Sequence, residues 1–231
     1  MNTQPANALN VVTLRVRAGD TSETLCLPAF GEMDAAVIAA EAGAGADTVL
    51  RAAEAAWGTC VLTFAVAAAG EGQSAAPERE ALRERAHALI LVPGDRLDRA
   101  AEGLADLLRD ATAGAVNLDA VDFRGILSHA PGPFHLGLGE ARGKDEYEAA
   151  VESAARSDLT GTGLENARRA IVGLKVSPGT DLEDVTRVLE RLQSLAHPDA
   201  SMLIGLNYDE QLPEAALRLA VLACDYGQPE A

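Results

Sequence analysis

The chain has 231 residues, with 35 acidic side chains against 19 basic ones and a formal net charge of −16. That length buries a substantial core in one domain or two small ones, and so acidic a surface excludes nucleic acid and anionic lipid as main partners. The first ten residues lack a basic-then-apolar pattern and no apolar run reaches about 18 residues, so a secretory leader and a membrane span are not expected and a cytoplasmic location is.

Residues 1–9 read as a flexible lead. Val11 to Val16 is rich in β-formers and ends at the turn signal Gly19-Asp20, and Thr24 to Leu27 is a second short strand that would complete a hairpin. Ala35 to Ala40 reads as a buried strand, followed by the small-residue turn Gly43 to Ala46 and an Ala-rich helix from Asp47 or Thr48 to Ala56. Trp57, at the end of that helix, is expected to anchor a core or an interface. Cys60 to Val66 is a strand, Gly70 to Ala76 a loop, Pro77 to Ala86 a helix with Pro in its first turn, and Ala88 to Val92 another strand. A helix then runs to about Ala113 with Leu97, Ala101, Leu104 and Leu108 on one face. Strands alternating with helices predict a parallel α/β layer over residues 10–114.

Residues 115–226 read as a second, α+β unit. A short helix reaches about His129, and Phe134 to Leu138 is a strand. Lys144 to Ser157 is a helix with Tyr147, Val151, Ala154 and Ala155 along one face. Arg169 to Val176 is a strand, and Thr180 to Glu183 has a capping-box pattern ahead of a helix striped with Val185, Val188, Leu189, Leu192 and Leu195. Ser201 to Asn207 and Ala216 to Cys224 are the last strands, with the acidic Tyr208-Asp209-Glu210 at a solvent-facing hairpin tip and 227–231 a tail. Cys26, Cys60 and Cys224 are odd in number and scattered among apolar neighbours, which suits reduced core thiols better than disulfides or a metal site.

Between the two units lies a polar knot, Asn117-Leu118-Asp119-Ala120-Val121-Asp122-Phe123-Arg124. Asp119 can cap the new helix, leaving Asn117 and Asp122 to face a partner. The plainer alternative is that all three acids and amides serve the first free amides of the helix.

The knot resembles the N-x-D-x-x-D-x-R loop of the FtsZ and tubulin family, with Asn117, Asp119, Asp122 and Arg124 at the family's spacing. The resemblance continues through Gly137-Leu138-Gly139-Glu140-Ala141, Ala170 to Leu182, Asp199 to Gly205 and Ala216 to Ala223. It implies a tubulin/FtsZ-like α/β fold: a reduced N-terminal layer with a shortened central helix, then a C-terminal α+β unit with a four-stranded mixed sheet and packed helices. In the family this loop inserts over the nucleotide of the next subunit, so Asp119 and Asp122 would orient the attacking water and Asn117 would contact phosphate or ribose.

The same resemblance marks what is missing. Nothing after Val16 corresponds to the family's first Gly-rich loop, and the dense phosphate-binding glycines are reduced to Gly43 and Gly45 in Glu41-Ala42-Gly43-Ala44-Gly45-Ala46-Asp47. A carboxylate about 4 Å from a phosphate repels it by about 1 kcal/mol even at high dielectric. On its own, a G-x-G is equally a strand-to-helix turn that needs small residues. The shortened central helix also removes residues that hold guanine in the family. Few residues follow Cys224, so the family's membrane-recruiting tail is not expected. No G-x-S-x-G elbow supports a Ser/His/Asp enzyme.

The resulting expectation is an FtsZ-like interaction protein that binds no nucleotide, metal or other cofactor and regulates or caps FtsZ-type filaments through the loop 117–124. Two alternatives stay open: a degenerate GTPase or trans-acting GTPase activator, and a structural homo-oligomer with an unrelated partner.

Overall fold

The computed structural model describes residues 8–69, 76–128, 130, 132–157 and 159–224. Most of the expected lead (1–9), most of the loop at 70–76, His129 and the tail at 227–231 therefore lie outside the described residues. No described helix is long and apolar enough to cross a membrane. The chain packs as two units that part between Ala105 and Asp106, inside a helix rather than near residue 115.

The first unit is a four-stranded sheet in the order β1-β2-β3-β4. Its strands, Val11–Val16 (β1), Ala35–Ala40 (β2), Leu62–Ala69 (β3) and Ala88–Pro93 (β4), are all parallel. Every β2 residue is buried, which is why that strand is a continuous apolar run instead of an alternation. Helices Ala46–Trp57 (α1) and Ala76–Arg83 (α2) follow β2 and β3. The α1 residues Val49, Ala52, Ala53 and Ala56 pack with Ile38, Ala65 and Leu89. The third helix, Leu97–Ala113 (α3), begins in this unit, where Arg15 of β1 pairs with Asp98 and Glu102.

Two expectations fail here. Residues 24–27 form no strand and no hairpin, because β1 pairs in parallel with β2 and the intervening chain runs as turn and loop. Cys26 is consequently exposed, while Cys60 and Cys224 are buried thiols. Trp57, expected in a core or an interface, lies outside the core: it is 45% exposed and its ring lies 4.8 Å from that of His87.

The second unit carries a four-stranded mixed sheet in the order β5-β8-β6-β7. Its strands are His135–Ala141 (β5), Arg169–Val176 (β6), Ser201–Tyr208 (β7) and Leu217–Cys224 (β8). β8 runs antiparallel to both neighbours and β6 and β7 are parallel. Since β7 and β8 are not neighbours, Tyr208 to Glu210 is no hairpin tip. Helices Ala120–Leu127 (α4), Tyr147–Arg156 (α5) and Leu182–Leu195 (α6) complete the unit. Tyr147, Val151, Ala154, Val185, Val188 and Leu192 form one core with the sheet.

Glycine decides how closely helices approach this sheet. A Cβ at Gly137 or Gly139 would overlap the carbonyls of Ala154 and Ala150, and one at Gly205 would overlap the backbone of Ala111. The G-x-G of β5 is thus a landing strip for α5. The capping box expected at α6 does not form: Asp181 is the N-cap residue without a side-chain cap, and the Thr180 hydroxyl bonds to that of Ser177 at 3.0 Å. Asp181 instead accepts from Lys144 Nζ at 3.0 Å.

Candidate functional site

The polar loop is built by three successive ties to the second unit. Past α3, the chain slides so close to β7 that a Cβ at Gly114 would overlap the Leu206 carbonyl. Val116 then bridges the edge of β7: its N–H donates to Leu206 O at 3.2 Å, and Leu206 N–H donates to Val116 O at 2.8 Å. Leu118 folds back, buried, with its N–H on Ala111 O at 2.8 Å.

Asp119 then opens α4 with a complete capping box. Its Oδ1 accepts from the N–H groups of Val121 at 2.7 Å and Asp122 at 3.0 Å, and Asp122 Oδ2 accepts from the N–H of Asp119 at 2.8 Å. Reciprocal caps of this kind satisfy two orphan donors at once. The helix is fastened behind by buried Phe123, Ile126 and Leu127, and Arg169 Nη1 donates to Ser128 O at 3.2 Å.

The four residues expected to act together thus have different situations. Asn117, Asp119 and Arg124 are exposed and Asp122 is half-buried. Asp122 is not left to face a partner, as its spacing allows, because one of its oxygens completes the cap. Two features escaped the sequence reading. Val116 is 50% exposed and Val121 is 71% exposed, so apolar side chains bracket the capped turn. Lys175 of β6 lies near the end of α3, with Nζ 2.7 Å from Asp110 Oδ1 and 3.7 Å from Asp209 Oδ2. All three side chains are largely buried. Burial pushes the Asp110 carboxyl above its ordinary value, while its hydrogen bonds with Lys175 and Asn207 pull it down. Asp209 therefore serves the interior rather than solvent. No regular spacing joins residues 110, 175 and 209, so no motif could have announced them.

The glycine turn that follows β2 belongs to the first unit. Gly43 has φ +83°, a left-handed conformation that favours glycine, and Ala44 N–H donates to Glu41 O at 3.0 Å. Gly45 is the N-cap of α1 and supplies no side-chain cap. Asp47 is exposed in the first helical turn, Glu41 is half-exposed before it, and Arg17 Nε stands 4.0 Å from Glu41. Thr48 Oγ1 donates to Asp20 O at 3.3 Å, which ties the turn to the segment after β1. Among the described residues no group of three or more His, Cys, Asp or Glu side chains is placed to hold a metal ion.

Against known proteins, residues 132–227 match the FtsZ family, C-terminal domain, a match that begins beyond the polar loop. "Cell division protein FtsZ 1" of Halobacterium salinarum is 31% identical over 62% of this chain and 40% of its own length. "Cell division protein FtsZ 1" of Archaeoglobus fulgidus is 29% identical over 74% of this chain and 51% of its own. This chain therefore spans about half, or less, of the relatives it matches. Among solved structures, "FtsZ dimer, empty" of M. jannaschii superposes with a TM-score of 0.68 at 22% identity, covering 85% of this chain and 65% of that one. The GDP-bound monomer of CetZ1 from Haloferax volcanii gives a TM-score of 0.60 at 14% identity, covering 85% and 66%. These two likenesses establish the fold.

Proposed function

Because the chain belongs to the FtsZ/tubulin superfamily, we propose that it is an FtsZ-like interaction protein that docks on an FtsZ-type filament through residues 117–124. In this reading it has no guanine nucleotide of its own, and it caps the filament end by occupying the face where the next subunit adds. The observation that carries the reading is the contrast between the two loops. The polar loop is held by a full capping box and flanked by exposed Val116 and Val121. The glycine turn keeps only Gly43 and Gly45, between Glu41 and Asp47. A head-to-tail contact has two different faces, so a subunit with one competent face stops growth instead of propagating it.

The test is sedimentation and GTP turnover of a filament-forming FtsZ with substoichiometric protein, wild-type and Asp119→Ala/Asp122→Ala. Polymer yield is expected to fall with wild-type protein and to recover with the double variant. Unchanged yield and turnover with wild-type protein sink the capping idea, and an effect that survives the double substitution moves the contact elsewhere. Calorimetry with GTP and Mg²⁺ is expected to give binding no tighter than about millimolar, and micromolar affinity favours the degenerate-GTPase reading. A gain in turnover with wild-type protein favours trans-activation by Asp119 and Asp122. The homo-oligomer reading draws support from a solved relative described as a dimer; concentration-dependent sedimentation of the protein alone distinguishes it.

A further inference from the structure

Of the two sheets' edge strands, β1, β4, β5 and β7, three are guarded by the chain itself. Val116 bridges β7 at Leu206. Side chains meet β5: Ser157 Oγ donates to Leu136 O at 2.6 Å and Ser153 Oγ donates to Leu138 O at 3.0 Å. On β4, Ala88, Ile90 and Val92 are buried. The edge of β1 differs. Asn10 O and Val16 O accept from the N–H groups of Ala35 and Glu41, so the even-numbered residues face β2 and the odd-numbered ones turn their backbone groups outward. Arg17 has its N–H on Asp20 Oδ2 at 2.7 Å and its carbonyl on the Asp20 N–H at 3.1 Å. Among the described residues, nothing pairs with the backbone N–H and C=O of Thr13 and Arg15, and both residues are only half-buried. β1 also has no Pro, Lys or bulge, the features that keep an edge from pairing.

The surroundings indicate what such an edge accepts. Arg15 and Arg17 are accompanied by four carboxylates, those of Asp98, Glu102, Glu41 and Asp20. Asp34, on the Asn10 N–H, and Arg51, on the Ser22 carbonyl, keep that acidic excess. The side chains of Asp98 and Glu102 are 69% and 68% exposed, so they remain open to a further cation. In a molecule of net charge −16, a second copy is repelled and a basic segment attracted. The two faces of β1 also differ. Arg15, and Thr13 by alternation, lie on the side of α3, where Asp98 and Glu102 stand. Val12 and Leu14 lie on the other side and pack on the core that contains Val49 and Ala52 of α1.

We propose that the outer edge of β1 binds an extended segment of another protein as an added antiparallel strand, in which basic residues alternate with apolar ones. Thr13 and Arg15 each exchange N–H and C=O with the residue opposite, and main-chain bonds of this kind give such additions their affinity. Residues opposite Thr13 and Arg15 share their face, so the basic side chains fall beside Asp98 and Glu102. The alternate, apolar side chains extend the surface of Val12 and Leu14. Backbone pairing thus fixes the register, and the different chemistry of the two faces fixes the pattern of the partner.

The probe is a capped, fluorescently labelled heptapeptide of alternating lysine and valine, titrated into the full-length protein and read by anisotropy. Saturable binding that weakens as salt rises is expected, together with amide shifts at residues 11–17. A peptide with glutamate in place of lysine should not bind. N-methylation of the lysine amides, which face β1, should weaken binding at least about tenfold, whereas N-methylation of the valine amides, which face away, should not. Thr13→Pro removes an N–H that the fold does not use, so it should abolish binding and leave the circular dichroism unchanged. If that variant misfolds, the two methylated peptides decide the matter. Equal binding of the glutamate peptide, equal effects of the two methylations, or full affinity in folded Thr13→Pro overturns the proposal. A dimer of the protein alone that Thr13→Pro dissolves also overturns it, since the edge then belongs to a second copy.

Discussion

The polar loop 117–124 and the glycine turn 41–47 each lead from one element into a helix, yet they are built on opposite principles. The turn relies chiefly on backbone: one left-handed glycine, one reverse-turn hydrogen bond and an N-cap with no side chain to contribute, with the Thr48 hydroxyl on Asp20 O as its side-chain tie. The loop is held by side chains as well, through Asp119 and Asp122 on the helix, buried Leu118, and the Val116 bridge to β7. Outside its left-handed glycine, a turn held chiefly by backbone accepts many small residues and loses special chemistry at little structural cost. A loop whose acids also fold the protein keeps those acids for stability, whatever else they do. Retention of Asp119 and Asp122 therefore argues for docking less strongly than their spacing suggests, and the exposed flanking valines argue for it more.

The largest effect is expected at the ion cluster near the end of α3. Lys175→Met leaves Asp110 buried without its partner, at a cost of about 3–5 kcal/mol. Urea unfolding of the variant should show this loss, whereas a change below about 1 kcal/mol would mean that the cluster contributes no more than an exposed ion pair. The same cluster carries a pH signature. A carboxyl raised by burial favours the folded state below the ordinary carboxylate range, and that contribution is lost as pH rises through its folded value. The stability of the wild-type protein relative to Asp110→Asn is thus expected to fall as pH rises from about 4 upward. A flat difference between the two across that range would deny the burial effect.

Next in size is the cap. Asp119→Ala removes an acceptor of two amide N–H groups and should cost about 1–2 kcal/mol, read as a lower urea midpoint. Asp122→Ala, which frees only the Asp119 N–H, should cost less. Equal losses would mean that Asp122 does more than close the box.

The smallest change tests the other side of the comparison. Gly45→Ser gives α1 the side-chain cap it lacks, at φ −65° and with no backbone atom closer to the new Cβ than 3.9 Å. A gain of a few tenths of a kcal/mol in thermal stability is expected. A loss would show that the turn is more constrained than its hydrogen bonds imply.

Much of the fold was legible because it follows from local patterns. The apolar runs at 11–16, 35–40 and 88–92 had to be strands, and the helical stripes from Leu97 and from Tyr147 had to face a sheet. Errors arose where a local pattern had two physical solutions. Thr24 to Leu27 has strand composition, but β1 found its partner in β2, so that segment stayed a loop and left Cys26 in solvent. Thr180 to Glu183 has the capping-box spacing, but Lys144 captured Asp181 and Ser177 captured Thr180. The real box formed at Asp119 and Asp122, where Asp stands in place of the usual Ser/Thr and Glu.

By itself, then, the sequence determined the alternation of elements, the acidic surface, the superfamily resemblance and the four polar residues of the loop, since periodicity, charge and spacing are properties of the chain alone. Tertiary structure decided the rest. It placed Lys175 between Asp110 and Asp209, made glycine obligatory at 114 and 205, left Val116 and Val121 outside, and enclosed the unpartnered Tyr147 hydroxyl between α5 and α6. Each of these depends on which atoms from distant parts of the chain compete for one small volume, and hydrogen bonding, burial and overlap act on that volume irrespective of separation along the sequence.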